Sequence, residues 1–260
     1  MGVAVFNFSD KVMRSLFGAV LTLAPLYALG SIQMQDAMAE DTPMQWVKGQ
    51  YTYRTIDEHR FRGLEDWILH IHPDGSRTMT ATVDNVDANV QFHMVQRVAA
   101  NFRPIEAFLT HWVRGERRGS THVVVESDLL TATINTPDGQ DVQTLKVGEA
   151  FTVQPHPVST DSWRGAFYGL DRGGVQSSTN FNISVAPNSP APLRGAMEEE
   201  TIEFLGNETI TVPAGTFEVE HYKFRGRADA WLMPENRILV RYAYFDQSRE
   251  YILTDFSESP

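Results

Sequence analysis

The 260-residue chain has no cysteine, so thiol chemistry is absent and the candidates for moving protons or stabilising charge are histidines, arginines, carboxylates and tyrosines. Along Gln91–Arg97, period-two alternation puts Gln91, His93, Val95 and Arg97 on one face of a strand, opposite Val90, Phe92, Met94 and Val98. On the next strand His111 shares its face with Ile105, Ala107, Leu109 and Val113, an apolar row. A histidine so placed is either a satisfied core residue or a tuned acid/base, since burial favours the neutral ring. A sheet that curves around a cavity would bring His93, Arg97 and His111 together inside it.

A second group lies at His156-Pro157-Val158-Ser159-Thr160-Asp161-Ser162-Trp163. His156 and Asp161 read as an acid/base pair at a cavity mouth, with Trp163, Phe167 and Tyr168 as an aromatic lid. The competing reading is a proline-stiffened loop pinned into the core by Trp163. Ser159 lacks the G-x-S-x-G elbow of an activated nucleophile. Tyr242 and Tyr244 share a face with Val240 and project hydroxyls into an apolar interior, and Trp231 and Tyr244 join Trp163 and Tyr168 as candidate ligand-binding aromatics. Arg225, Arg227, Arg237 and Arg241 suit either an anionic ligand or pairing with carboxylates such as Asp229 and Glu235. His70 and His72 are two apart on a strand and could share a metal with His93 or His122. However, His72 directly precedes Pro73-Asp74-Gly75 and reads as a polar strand end, so no metal site and no cofactor is assigned.

These side chains need a β framework. Turn signals recur every eight to twelve residues or so, and no long window keeps a 3.6 period. Expected strands are Gln45–Thr55, Leu64–His72, Arg77–Val83, Val90–Asn101, Ile105–Arg114, Thr121–Glu126, Leu129–Thr136 and Asp141–Val147. After a middle region come Glu199–Leu205, Glu208–Val212, Thr216–Phe224, Ala228–Met233, Ile238–Phe245 and Arg249–Phe256. Residues 154–176, rich in Pro, Gly and aromatics, read as a long loop or a short helix lying over a sheet edge. Asn188-Ser189-Pro190-Ala191-Pro192 is a second break. The fold class is all-β, one antiparallel barrel or half-barrel, with residues 40–260 as a single domain.

Residues 15–30 are uncharged, follow Lys11 and Arg14, and precede Ala37-Met38-Ala39. That is the order of a secretory signal, so residues 1–39 are expected to be removed and the protein to be periplasmic or secreted. The apolar run is short of the ~20 residues a membrane span requires and contains Pro25, so no membrane span is expected after cleavage. With 22 Lys+Arg against 33 Asp+Glu, the formal charge of −11 disfavours nucleic acid as a partner.

Val212-Pro213-Ala214-Gly215-Thr216-Phe217, then Tyr222-Lys223-Phe224, Ala230-Trp231-Leu232 and Pro234-Glu235-Asn236, resembles uncharacterised bacterial envelope proteins with a lipocalin-like or half-barrel fold. The similarity covers roughly residues 199–256. It implies a fold and an envelope location, and brings no catalytic residues.

Two functions fit these residues. One is a carrier or sensor holding a small apolar molecule or lipid in a β-lined cavity. The other is a cofactor-independent lyase, isomerase or hydrolase in the same cavity, with His93, His111 or His156 as acid/base and Arg97 or Tyr242 stabilising negative charge. A structural envelope protein acting through an exposed sheet edge is a third.

Overall fold

A computed structural model describes residues 44–186, 189 and 192–260. The expected signal and its cleavage point lie outside these residues, as does most of the break at 188–192. The described chain is all-β, one 15-stranded sheet that is antiparallel except for its last pair.

The strands are β1 (Gln45–Thr55), β2 (Phe61–Ile71), β3 (Arg77–Asn85), β4 (Val90–Val98), β5 (Pro104–Val113), β6 (Glu116–Glu126), β7 (Leu129–Thr136) and β8 (Gly139–Lys146). There follow β9 (Thr152–Gln154), β10 (Val175–Ile183), β11 (Gly195–Val212), β12 (Gly215–Phe224), β13 (Ala228–Met233), β14 (Ile238–Tyr244) and β15 (Arg249–Glu258). Across the sheet the order is β8 to β1 consecutively, then β15 back to β9, so the first and last strands are neighbours in its middle.

The hairpins form where the turn residues put them. His72-Pro73-Asp74-Gly75-Ser76 closes β2 on β3 through His72 N–H to Ser76 O, and Gly75 takes the positive φ of 76° that glycine adopts without strain. Some expected strand assignments need correction. Glu199–Leu205 and Glu208–Val212 are one strand, β11, whose register shifts between Phe204 and Gly206. The extra residue is absorbed by a bulge rather than a turn. In addition, β10 occupies Val175–Ile183, where no strand was expected.

Strand spacing and linker length force the sheet to curl. Laid flat, fifteen strands about 4.8 Å apart would separate β8 from β9 by about 65 Å. Only residues 147–151 join those two edges, and fully extended they reach about 20 Å. The edges therefore meet. Gln143 of β8 exchanges two hydrogen bonds with the backbone of Gly195, donating to its O at 3.1 Å and accepting from its N at 2.8 Å. Asp141 pairs with Arg194 beside it. Strand β9 is tucked against the inner face, where Gln96 of β4, 1% exposed, donates to Val153 O at 3.0 Å.

The core fills the concave side. Inward rows such as Val90, Phe92, Met94 and Val98 on β4 are buried, while Gln91, His93, Val95 and Arg97 face out. Into this hollow drops a 3-10 helix, Val158–Phe167. It does not lie over a sheet edge: seven of its ten residues are buried, and Trp163 is 1% exposed against Phe102. Truncating a buried tryptophan costs about 3–5 kcal/mol. Trp163 therefore pins the helix into the core and is no lid.

Candidate functional site

The site grows from the corner between β9 and the 3-10 helix, Gln154-Pro155-His156-Pro157. His156 has φ of 84°, a region that non-glycine residues occupy at a cost of about 1–3 kcal/mol. Its Nε2 is hydrogen-bonded to Ile183 O. A carbonyl can only accept, so Nε2 carries the proton and Nδ1 keeps its lone pair. Burial among protein atoms lowers the pKa of the ring, and Arg164 and Arg225 act in the same direction against the Ile183 hydrogen bond and Asp161. His156 is nevertheless exposed, because it stands between two open hollows.

The larger hollow, about 650 Å³, is lined by Gln154, His156, Asp161, Arg164, Asn182 and Arg225 among others, with Tyr244 on its wall. Asp161 and Arg164 are three apart on the 3-10 helix and approach to 3.3 Å. Arg164 also donates to Tyr242 Oη at 3.4 Å, and the Tyr242 and Tyr244 hydroxyls are 3.0 Å apart. Burial pushes the Tyr242 phenol well above its usual 10, so it acts as a neutral hydroxyl. Glu200, 7% exposed, lies 3.5 Å from Arg164 Nε without a hydrogen bond between them and pairs with Arg225. Asn182 uses its amide hydrogens on Glu198 at 2.6 Å and Glu200 at 3.2 Å.

The smaller hollow, about 360 Å³, is apolar: Val83, Val90, Phe92, Val158 and Tyr251 face it, with Tyr53. The two share His156, Val185 and Ala186. Behind Tyr53 lies Glu65, fully buried, which accepts from Tyr53 Oη at 2.5 Å and from the N–H groups of Val158 and Ser159 at 2.8 and 2.9 Å. It thus seats the first turn of the 3-10 helix, whose unpaired N–H groups need an acceptor. Burial nevertheless outweighs these donors and pushes its carboxyl up to about 7.

Of the residues singled out in sequence, the structure brings His156, Asp161, Arg225 and Tyr244 to one cavity, with Tyr242 one side chain behind. It does not bring His93, Arg97 and His111 together. His93 and Arg97 are exposed on the outer face, His93 edge-on to Trp112, because they occupy the face opposite the apolar row. His111 is 1% exposed, stacked on Phe92 with ring centroids 4.9 Å apart, and neither ring nitrogen has a partner. Burial, then His156 and Arg118, lowers its pKa to about 4. Tyr168 packs on Tyr222 and Phe204 in the core. Trp231 lines a separate groove of about 340 Å³ with Arg54, Arg241 and Glu208, and stacks on His221.

The C-terminal arginines pair with carboxylates, though not with Asp229 or Glu235: Arg225 with Glu200, Arg227 with Asp246, Arg237 with Glu220 and Arg241 with Glu250. His72 Nε2 is 2.8 Å from Thr78 Oγ1 and His122 Nε2 is 2.6 Å from Glu106. Among the described residues no group of three or more His, Cys, Asp or Glu is placed to hold a metal, and no helix is long and apolar enough to cross a membrane.

Sequence reasoning missed Glu65, Gln154, Arg164 and Asn182. Glu65 carried a signal, since it falls in the inward row with Trp67 and Leu69 on β2. Arg164 carried one too, three residues beyond Asp161. Asn182 had none, because its strand reads as polar text.

No family model matches this sequence, and no curated protein matches it. Among the solved structures similar to this chain are two of unknown function. A β-barrel-like protein of a domain of unknown function (DUF1849) from Brucella abortus aligns over 84% of this chain and 98% of its own, at 10% identity and a TM-score of 0.44. A DUF1089 family protein from Pseudomonas aeruginosa aligns over 69% of this chain and 89% of its own, at 13% identity and a TM-score of 0.43.

Proposed function

We propose that this is an exported binding protein that holds a small lipid-like molecule in its paired hollows. One observation carries the reading: an apolar pocket of about 360 Å³ and a polar chamber of about 650 Å³ share His156, Val185 and Ala186. His156 and Ala186 are exposed and Val185 half-buried, so the boundary is a low rim across which an elongated molecule can lie. Both volumes are in the range of small-molecule sites. Apolar burial would supply the affinity, at about 0.8 kcal/mol per methylene taken from water.

Native mass spectrometry of protein expressed with its full N-terminal segment tests both halves of this reading. The expected spectrum shows a mass lacking residues 1–39 and carrying a non-covalent adduct of lipid size. Val90→Phe, which fills the apolar pocket, should weaken binding of a ten-carbon amphiphile at least tenfold. Equal binding by that variant, or no adduct and no uptake of any amphiphile, overturns the proposal.

A further inference from the structure

The polar chamber presents hydrogen-bond acceptors, and a chain of donors fixes them. Asn180, fully buried, donates an amide hydrogen to Ser178 O at 3.2 Å, which leaves Asn180 Oδ1 to accept from Thr152 Oγ1. Thr152 has one proton and gives it to Asn180, so toward Gln154 it can only accept, from Nε2 at 2.9 Å. The amide of Gln154, a residue of the chamber lining, is thereby locked with Nε2 on Thr152. Gln154 is 2% exposed and Oε1 has no partner. Two residues on, His156 is locked in the same sense: Nε2–H is committed to Ile183 O and Nδ1 offers its lone pair. Asn182, whose amide hydrogens go to Glu198 and Glu200, adds a third acceptor oxygen on the same wall.

The cations of the chamber, by contrast, are already matched. Arg164 faces Asp161 and Glu200, Arg225 faces Glu200, and Arg194 faces Asp141. An anionic head group would meet guanidinium groups that already face carboxylates, with only Arg164 Nε–H unbonded, and would leave Gln154 Oε1 facing another acceptor. A cationic head would meet three guanidinium groups, and of the two carboxylates on the lining Asp161 is already paired with Arg164 and Glu198 already accepts from Asn182. A buried acceptor left unmatched is costly, and an unmatched buried charge more so.

Resting on the binding reading above, we infer that the bound amphiphile has an uncharged, hydroxyl-bearing head, as on a glycoside or a glycerol ester. Its hydroxyls donate to Gln154 Oε1 and His156 Nδ1 while its chain lies over the rim against Phe92 and Val90. Hydroxyl groups fit this wall because each brings a donor without bringing charge.

Titration calorimetry at pH 7.5, below micelle-forming concentrations, with decyl glucoside, decanoate and decyltrimethylammonium separates the possibilities, since the three share one chain. The glucoside should bind at least tenfold more tightly than either ion. Gln154→Met, close in shape but without the acceptor, should erase that preference, and His156→Asn, which tolerates the positive φ, should reduce it. Val90→Phe should weaken all three alike. Decanoate binding as tightly as the glucoside, or an unchanged preference in folded Gln154→Met and His156→Asn proteins, overturns the head-group inference while leaving the cavity reading standing. Failure of all three amphiphiles to bind removes both.

Discussion

Two buried titratable side chains on the concave face act on stability with opposite signs. Glu65 has its pKa raised from 4.5 to about 7, mainly by burial, and so binds a proton more tightly folded than unfolded. Its contribution is full below about 4.5 and is lost as pH rises through 7. His111 is lowered from 6.5 to about 4, first by burial, so its contribution is full above 6.5 and is lost as pH falls toward 4. Between about 4.5 and 6.5 the two slopes oppose, and wild-type melting temperature should be nearly flat there. Glu65→Gln should leave a melting temperature that rises with pH across that window, and His111→Phe one that falls. Glu65→Gln should also cost about 1–3 kcal/mol throughout, because its amide cannot accept from Tyr53, Val158 and Ser159 together. Thermal melts of the three proteins in matched buffers decide it, and parallel pH profiles in all three would place the titration elsewhere.

At the scale of elements, the seam between β8 and β11 depends on close approach. A Cβ added at Gly195 would overlap the Phe181 ring, whereas one at Gly148 meets nothing. Gly195→Ala should therefore destabilise by about 1–3 kcal/mol, as overpacking does. Displacing that backbone would also disturb the pair of bonds to Gln143. The denaturant midpoint should drop for Gly195→Ala and stay within error for Gly148→Ala. Equal effects would mean that the close approach is relaxed in solution. These elements also show what the sequence could convey. The hairpins were legible because Pro, Asp and Gly at fixed offsets dictate a reversal. The faces of β4 and β5 were legible because alternation has a strict period of two. The meeting of His93, Arg97 and His111 failed for the same reason, since alternation on β4 had already put His93 and Arg97 on the outer side. Strand β10 was missed because its Ser, Thr and Asn side chains bond to Glu198–Glu200 across the ladder, leaving no apolar alternation to read.

For the molecule as a whole, β1 and β15 pair in the middle of the sheet, so the chain must be complete before the centre of the fold can form. Pairings this distant in sequence make folding slow. They also make the C-terminal strand indispensable. It contributes Leu253, fully buried, and Glu250, 1% exposed, which accepts from Arg54 and Arg241 at 2.7 and 2.8 Å. A chain ending at residue 248 should show no cooperative thermal transition by circular dichroism, and a sharp transition in that truncation would show the two halves of the sheet to be separable. The five residues from 147 to 151 constrain the molecule in another way. They act as a strap of fixed girth around the roll, allowing its edges to part by no more than about 20 Å. Any unrolling is limited to that span. On the binding reading proposed above, a guest would enter through the open mouths of the two hollows on either side of His156.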